Sequence, residues 1–377
     1  MVPAVREFHL DSRDALACGN SLKEKTVIVT GASFGFGKAF SIQAAHFGTH
    51  LHSFSSTDKA RLVISDVNIR GVELVAEEIR SAGGHFSIML RRIVAAHPKP
   101  CDTSNWDHQL EMFEFACETF GRVDVVVANA GVGEMSQFMK EENLDASGHL
   151  TVCRSLTLYP KTTPDLTNIL TIDVNLIGAL FTIKIGYHYL RKNPAKEGKV
   201  LLYIGSIYSA NALPKGPLYA AAKQAIYSLF KSMYADFQEA GIATNIMAPW
   251  FVRTGIVAIR TAIVLHGLPY ASISDVVAGM IKFCADPNFY GNHVVVDPQG
   301  LLVFPFACPH LGPQGYIGES YRGSKIEMDR KTKFRDMLLI VRAMGGNLIP
   351  KSRLFQLALA VALVALVRRR LRSGRVP

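Results

Sequence analysis

The chain has 377 residues, 49% of them hydrophobic, which is enough for one large α/β domain or two smaller ones with a buried core. Its formal net charge of +10 at pH 7 does not indicate nucleic-acid binding, because seven basic residues and no acidic one follow position 343. The six cysteines are scattered without a Cys-x-x-Cys pair and charged residues occur throughout positions 1–25, so we expect a cytoplasmic protein with no metal site and no signal sequence.

Short runs rich in Val, Ile and Leu alternate with helical patterns along the chain. The runs are apolar throughout, as expected of strands buried on both faces of a sheet. Two of the helical patterns end at glycines, one at Gly83 and the other at Gly121. This alternation predicts an α/β fold with a doubly wound parallel sheet of about seven strands. The predicted strands are Thr26–Thr30, Arg61–Ser65, Phe86–Leu90, Val123–Ala128, Lys199–Gly205, Ala243–Met247 and His293–Asp297.

The pattern predicts three regions: an N-terminal extension over 1–24, a single α/β domain over 25–310 and a C-terminal appendage over 311–377. The appendage contains an apolar run, 354–367, followed by an arginine-rich end. As a helix this run would be about 21 Å long, which is shorter than the roughly 30 Å hydrocarbon core of a bilayer. Two interpretations of this run are open. It contacts a membrane surface through 354–372, or it packs on the domain.

Three glycines follow the first predicted strand. Gly31, Gly35 and Gly37 come directly after Thr30 and open a helix. Such glycines let the backbone turn tightly and approach a pyrophosphate, which binds the amides at the helix N-terminus. The segment therefore predicts a dinucleotide-binding loop.

Asp66 ends the second predicted strand. A carboxylate at that point accepts hydrogen bonds from the adenosine ribose and repels a 2′-phosphate, which favours NAD over NADP. NADP is not excluded. An NADPH-dependent carbonyl reductase is the alternative if Lys59 or Arg61 reaches a 2′-phosphate.

Tyr219 and Lys223 stand four positions apart in a predicted helix, and Ser206 follows a predicted strand. The spacing puts the two helical side chains on one face. A nearby ammonium stabilises phenolate, so we expect a lowered pKa for Tyr219. With the Ser206 hydroxyl hydrogen-bonded to a substrate oxygen, the trio could transfer a proton to or from an alcohol oxygen.

Six sequence features in a fixed order resemble the short-chain dehydrogenase/reductase family. They are TGASFGFG, Asp66, VVANAG, DVNLIG, the trio of Ser206, Tyr219 and Lys223, and APWFVRT, and they cover roughly residues 25 to 300. The resemblance implies a Rossmann fold, a homo-oligomer, and NAD(P)-linked interconversion of a secondary alcohol and a ketone.

The resemblance also implies individual roles. Tyr219 would be the general base, Ser206 the substrate anchor, and Lys223 the residue that depresses the Tyr219 pKa and binds the nicotinamide ribose. Asn175 would hold a water that links Lys223 to solvent. The further cofactor contacts implied are Gly31, Ser33, Gly35, Phe36, Gly37, Asp66, Asp102, Asn129, Ala130, Gly131, Val252 and Thr254.

Three connections, at 49–59, 91–100 and 151–161, are longer than the resemblance leads us to expect. Asp102 is the best match for an adenine-contacting Asp, although the second of these segments separates it from its strand. The segments are either genuine surface loops, which lengthen exposed connections at little cost, or untranslated sequence retained in a gene prediction.

The leading hypothesis is NAD-linked oxidation of a small hydrophobic secondary alcohol, with specialised metabolism as the setting. The mostly apolar segment 255–272 would supply the substrate wall. An alternative from another class is a nucleotide-binding protein without turnover. His46, His50 and His52 lack a nearby carboxylate or thiol partner in sequence, so we assign them no metal.

Overall fold

The computed structural model describes residues 7–47, 60–81, 86–88, 101–134, 147, 169–195, 197–254 and 269–305. The chain divides into two compact units. Nearly all of the described residues belong to the first, which comprises Met1–Ile256 and Tyr270–Arg322. The three long connections, the appendage with its apolar run, and most of the predicted substrate wall lie outside the described residues.

One nine-stranded sheet organises the described part of the chain, in the order β1-β9-β8-β7-β6-β5-β2-β3-β4. The strands numbered β2 to β8 all pair in parallel with one another. This confirms the predicted doubly wound sheet and all seven predicted strands. The strands are β1 (Phe8–Leu10), β2 (Thr26–Thr30), β3 (Arg61–Ser65), β4 (Phe86–Ile88), β5 (Val125–Ala128), β6 (Lys199–Ile204), β7 (Ile242–Pro249), β8 (Asn292–Asp297) and β9 (Gly300–Pro305).

Two strands that the sequence prediction did not include extend the sheet at one edge. β9 pairs antiparallel with β8 through a tight hairpin, and β1 pairs antiparallel with β9. The N-terminal region also contributes a short helix and the fully buried Leu22. Residues 7–24 are therefore part of the same compact unit as the parallel sheet.

Helices cover both faces of the sheet. Successive side chains of β2 point to opposite faces of the sheet, and both faces are apolar. Val27 and Val29 pack into one apolar cluster, and Ile28 packs into another. Every side chain on this central strand is buried. The helices are α1 (Ser12–Ala17), α2 (Gly35–His46), α3 (Ile69–Ser81), α4 (Trp106–Phe120), α5 (Leu170–Ile172), α6 (Ala179–Lys192), α7 (Pro217–Ser232), α8 (Tyr234–Glu239) and α9 (Ile273–Ala285).

A π-helical segment, Asp173–Gly178, joins α5 to α6 in one continuous helix. Leu170–Lys192 is long and apolar enough to cross a membrane by length and composition alone. Its polar residues argue for a core helix instead. Thr182 Oγ1 donates to Gln109 Oε1 at 2.7 Å, and Gln109 Nε2 donates to the Gly178 carbonyl at 2.8 Å, both inside the protein.

Candidate active site

The glycine-rich loop between β2 and α2 adopts the backbone that its sequence predicts. Gly31 and Gly35 have positive φ angles of 68° and 59°, which side-chain-bearing residues rarely adopt. A Cβ at Gly31 would lie 2.7 Å from the Cα of Ala130, and one at Gly37 would overlap the Gly31 carbonyl. The loop therefore needs glycine both for its turn and for its close contact with the segment after β5.

Asn129 and Thr30 join the carboxyl ends of β2 and β5. Asn129 Nδ2 donates to the carbonyls of Thr30 and Gly31 at 2.8 and 2.9 Å. Thr30 Oγ1 accepts from the amides of Asn129 and Ala130 at 3.1 Å each. Sequence reasoning identified Asn129 but missed Thr30, whose only signal was a hydroxyl residue directly before the first glycine.

Asp66 is held against the glycine-rich loop. Its Oδ2 accepts from the Ser33 amide at 3.1 Å, and its Oδ1 accepts from the Asn68 amide at 2.9 Å. Arg61 lies at the opposite, amino end of β3 and stacks on Phe120, with its guanidinium carbon 6.0 Å from the ring centroid. Arg61 therefore does not lie beside Asp66, and Lys59 is outside the described residues.

Asp102 lies in the next connection along the same edge. Its Oδ1 accepts from the Ser104 amide at 2.9 Å and from the Ser104 hydroxyl at 2.7 Å. The preceding amide, that of Cys101, donates to the Asp66 carbonyl at 3.1 Å, which ties the two connections together. The pKa of Asp173 is raised, mainly because its carboxyl is partly buried and to a smaller extent because of the negative charge of Asp102.

Ser206, Tyr219 and Lys223 converge beyond the carboxyl end of β6. Ser206 is buried and caps a short 3-10 turn, where its hydroxyl accepts from the Tyr208 amide at 3.3 Å. Lys223 Nζ donates to the Ile204 carbonyl at 2.9 Å and lies 5.8 Å from the Tyr219 ring centroid. The lysine is buried, and desolvation lowers its pKa to about 8.

The pKa of Tyr219 differs from the sequence-based expectation. Burial of its hydroxyl raises the pKa above the ordinary value, and hydrogen bonding to the Ser206 side chain acts in the opposite direction. The expectation of a lowered pKa considered only the attraction of a nearby ammonium for the phenolate. In the structure the lysine is itself desolvated, and the carbonyl of Ile204 accepts its hydrogen bond.

Asn175, in the π-helical segment, is buried and fixes the segment after β5. It exchanges two hydrogen bonds with the backbone of Val132, at 2.7 and 2.8 Å. A Cβ at Gly131 would lie 3.1 Å from Asn175 Oδ1 and 3.7 Å from Lys223 Nζ. Asn175 and Lys223 therefore both approach Gly131, in the segment after β5.

A cavity of about 210 Å³ runs between the glycine-rich loop and Tyr219. Ser33, Gly37, Asn175, Ser206 and Val252 do not line it, and Val252 forms an isolated bridge with Ala271 instead. Phe34, Val67 and Cys101 line it without having been predicted. The predicted residues that do line it are Gly31, Gly35, Phe36, Asp66, Asp102, Asn129, Ala130, Gly131, Tyr219, Lys223 and Thr254.

These residues fit a dinucleotide. Gly31 and Gly35 line the cavity without side chains, so a pyrophosphate can approach the backbone there, and Phe34 and Phe36 line it as well. The Ser33 hydroxyl is buried and has no hydrogen-bond partner within the described part of the chain, so a polar group is available beside the loop. Tyr219 and Lys223 lie at the other end, where proton transfer would occur.

The fold and the site together define an oxidoreductase that interconverts alcohol and carbonyl groups with a nicotinamide dinucleotide. The family model of the short chain dehydrogenases matches residues 25–262, and the chain belongs to that family.

Relatives agree with this assignment. The chain is 25% identical over 295 residues to 5′-hydroxyaverantin dehydrogenase of Emericella nidulans, covering 74% of this chain and 86% of that protein. It is 24% identical over 276 residues to 15-hydroxyprostaglandin dehydrogenase (NAD⁺) of Rattus norvegicus, covering 72% and 85%. A short-chain type dehydrogenase/reductase from Mycobacterium marinum has the same fold, with a TM-score of 0.57, 18% identity, and coverage of 76% and 98%.

Proposed function

We propose that the protein oxidises a small hydrophobic secondary alcohol to a ketone with NAD as the acceptor. The observation that carries the choice of NAD is the position of Asp66, whose carboxylate lies on the cofactor cavity beside the glycine-rich loop. Phe34 and Val67 also line the cavity, and Lys223 is the only basic residue among the described residues that line it. Among the described residues, none beside Asp66 would neutralise a 2′-phosphate, so the NADPH alternative has no support from a described residue.

The residues of the site would divide the work of the reaction. Tyr219 removes the proton of the substrate hydroxyl, and Ser206 hydrogen-bonds the substrate oxygen on which charge changes. Lys223 holds the nicotinamide ribose and lends positive charge to the phenolate, and Asn175 keeps the neighbouring backbone in place. The bound nicotinamide supplies the hydride acceptor.

Aromatic residues beside Tyr219 support a hydrophobic substrate. The Tyr208 ring meets the rings of Tyr219 and Phe251 edge to face, with centroids 6.4 and 5.9 Å apart. Trp250 continues this group. Relatives named as dehydrogenases of 5′-hydroxyaverantin and of 15-hydroxyprostaglandin support an apolar alcohol, and the former supports a role in specialised metabolism.

Three features of the whole chain belong to the same proposal. We place the cofactor-binding and catalytic residues of the domain within 25–310, and we treat 311–377 as an appendage that contacts a membrane surface through 354–372. We also propose that the protein is cytoplasmic and forms a homo-oligomer. The alternative of a nucleotide-binding protein without turnover is disfavoured by the presence of Asn175, Ser206, Tyr219 and Lys223 in one site.

Titration with NADH and NADPH tests the choice of cofactor. The parent protein should bind NADH at least about tenfold more tightly than NADPH, because Asp66 repels the 2′-phosphate. Val67→Arg places a cation beside Asp66 and should strengthen NADPH binding by roughly fivefold, the effect of one partly exposed ion pair. Val67 is 58% exposed and leaves room for the substitution.

Leu74→Arg is the matched control, because Leu74 is similarly exposed at 54% but lies on α3 away from the cavity. It should change neither affinity. Tighter binding of NADPH by the parent would move the proposal to a reductase, and failure to bind either cofactor would contradict it. With NADH binding established, oxidation of a panel of apolar secondary alcohols by NAD then tests the reaction itself.

A further inference from the structure

The first turn of α7, which carries Tyr219, lacks the usual partners for its backbone amides. Its N-cap is Gly216, which has no side chain, and its first residue is Pro217, which has no amide hydrogen. The first amides of a helix have no acceptor within the helix, so they need one from elsewhere. The Tyr219 amide finds it in Glu134, whose Oε2 accepts at 2.9 Å from 85 positions earlier in the chain.

Glu134 extends from a segment that is itself fixed on the other side. The Gly133 carbonyl accepts from Thr171 Oγ1 at 3.2 Å, and Val132 exchanges its two hydrogen bonds with Asn175. These partners lie in α5 and in the π-helical segment. The Glu134 carboxylate therefore connects the start of α7 to the helix that carries Asn175.

We propose that Glu134 is a positioning residue for the reaction, which holds the start of α7 and thereby keeps the Tyr219 hydroxyl in register with Ser206. A Cβ at Gly216 would lie only 3.5 Å from Glu134 Oε2, so the carboxylate packs directly against the turn. Its negative charge also interacts favourably with the positive end of the helix dipole. The inference rests on the proposed role of Tyr219 as the base.

Two substitutions separate the hydrogen bond from the rest of the side chain. Glu134→Ala removes the acceptor and should lower kcat by about 10- to 100-fold, the cost of a small misplacement of a catalytic group. The affinity for NADH and the KM for alcohol should change by no more than roughly twofold, because the contacts that bind them are kept. Glu134→Gln retains an oxygen that can accept from the Tyr219 amide and should restore kcat to within roughly threefold of the parent.

Asp11→Ala is a control for loss of a helix cap without an effect on the site. Asp11 caps α1 by accepting from the Arg13 amide at 2.8 Å, and it does not line the cavity. This variant should unfold more easily than the parent and keep its kcat. A parental kcat in Glu134→Ala, or a loss in Glu134→Gln as large as in Glu134→Ala, would overturn the proposal.

Hydrogen exchange gives a second measurement that does not depend on turnover. The Tyr219 amide should exchange slowly in the parent and in Glu134→Gln, and much faster in Glu134→Ala. Equal protection in the parent and Glu134→Ala would also overturn the proposal. If the parent oxidised no alcohol, the proposed function would fail, whereas exchange at Tyr219 would still decide whether Glu134 holds the helix.

Discussion

Burial acts in opposite directions on the two titratable side chains at the centre of the site. It raises the pKa of Tyr219 and lowers the pKa of Lys223 to about 8, so both groups are driven toward their neutral forms. The spacing of these residues in sequence predicted that they share a helix face, which the structure confirms. It could not predict desolvation, because burial depends on what the rest of the chain packs around the helix.

The buried lysine should make folding stability depend on pH. Its folded pKa of about 8 lies below the ordinary value of 10.5, so between these pH values the unfolded chain binds more protons and stability rises with pH. Below pH 8 the cost of Lys223 is fully present, and it disappears as the pH approaches 10.5. Lys223→Met removes this dependence along with the activity.

The difference in unfolding free energy between the parent and Lys223→Met should therefore shift by roughly 3 kcal/mol in favour of the parent across that range, at about 1.4 kcal/mol per pKa unit. Urea unfolding of both proteins at several pH values measures it. A flat difference would mean that the lysine is not desolvated. Titrating groups that do not interact with Lys223 contribute equally to both proteins and cancel in the difference.

Tyr219→Phe tests whether Tyr219 is the general base, because it removes only the phenolic hydroxyl. Loss of the hydroxyl should lower kcat for alcohol oxidation by about 10²- to 10⁴-fold, the usual contribution of general acid–base catalysis. NADH affinity should stay near the parental value, because the ring remains. Tyr227→Phe is the matched control, two turns further along α7 and absent from the cavity lining, and should keep full activity.

At the scale of elements, prediction succeeded for the apolar runs that alternate with helical patterns and failed for the two antiparallel strands at one edge of the sheet. The seven parallel strands are apolar runs flanked by helices, and each was predicted. β1 is a three-residue strand that precedes the strand–helix alternation, and β9 follows the alternation and becomes a strand by turning back on β8. The link between Glu134 and α7 left no signal either, because a single glutamate in a loop looks the same with or without its partner.

The close contact between the glycine-rich loop and the start of α2 gives a further prediction. Gly37→Ala would force a Cβ onto the Gly31 carbonyl, so α2 must move away from the loop. NADH affinity should fall by at least about tenfold, because the amides that face the pyrophosphate move with it. Fluorescence of bound NADH measures the loss.

Gly121→Ala separates this clash from the general cost of replacing a glycine. Gly121 ends α4 with a φ of 81°, and a Cβ there would meet nothing within 4 Å. The variant should lose about 1 kcal/mol of stability from its left-handed backbone and keep its NADH affinity. Equal losses of affinity in the two variants would mean that close contact at Gly37 is unimportant.

At the scale of the whole molecule, the positive charge is concentrated after position 343 and so belongs to the proposed appendage. A chain ending at residue 310 should bind NADH with an affinity within roughly twofold of the full chain, because each described cofactor contact precedes that point. Only the full chain should sediment with anionic vesicles, and this binding should weaken as salt is added.

Substitution of Arg368, Arg369 and Arg370 by Gln in the full chain distinguishes charge from apolar contact. If the arginines supply the attraction, each should contribute about 1 kcal/mol, and their loss should abolish most of the vesicle binding. Equal vesicle binding by the full and shortened chains would contradict the proposed membrane contact without affecting the proposed reaction.

The edge of the sheet formed by β1 and β9 has a consequence for the order of synthesis. β1 registers Phe8 against Val303, so the first strand described pairs with the last strand described. The segment Phe8–Leu10 cannot reach its native partner until nearly the whole catalytic unit has been translated. The edge can therefore form only after the parallel strands that lie between β1 and β9 in sequence have been synthesised, and a chain that lacks β9 leaves one side of β8 unpaired.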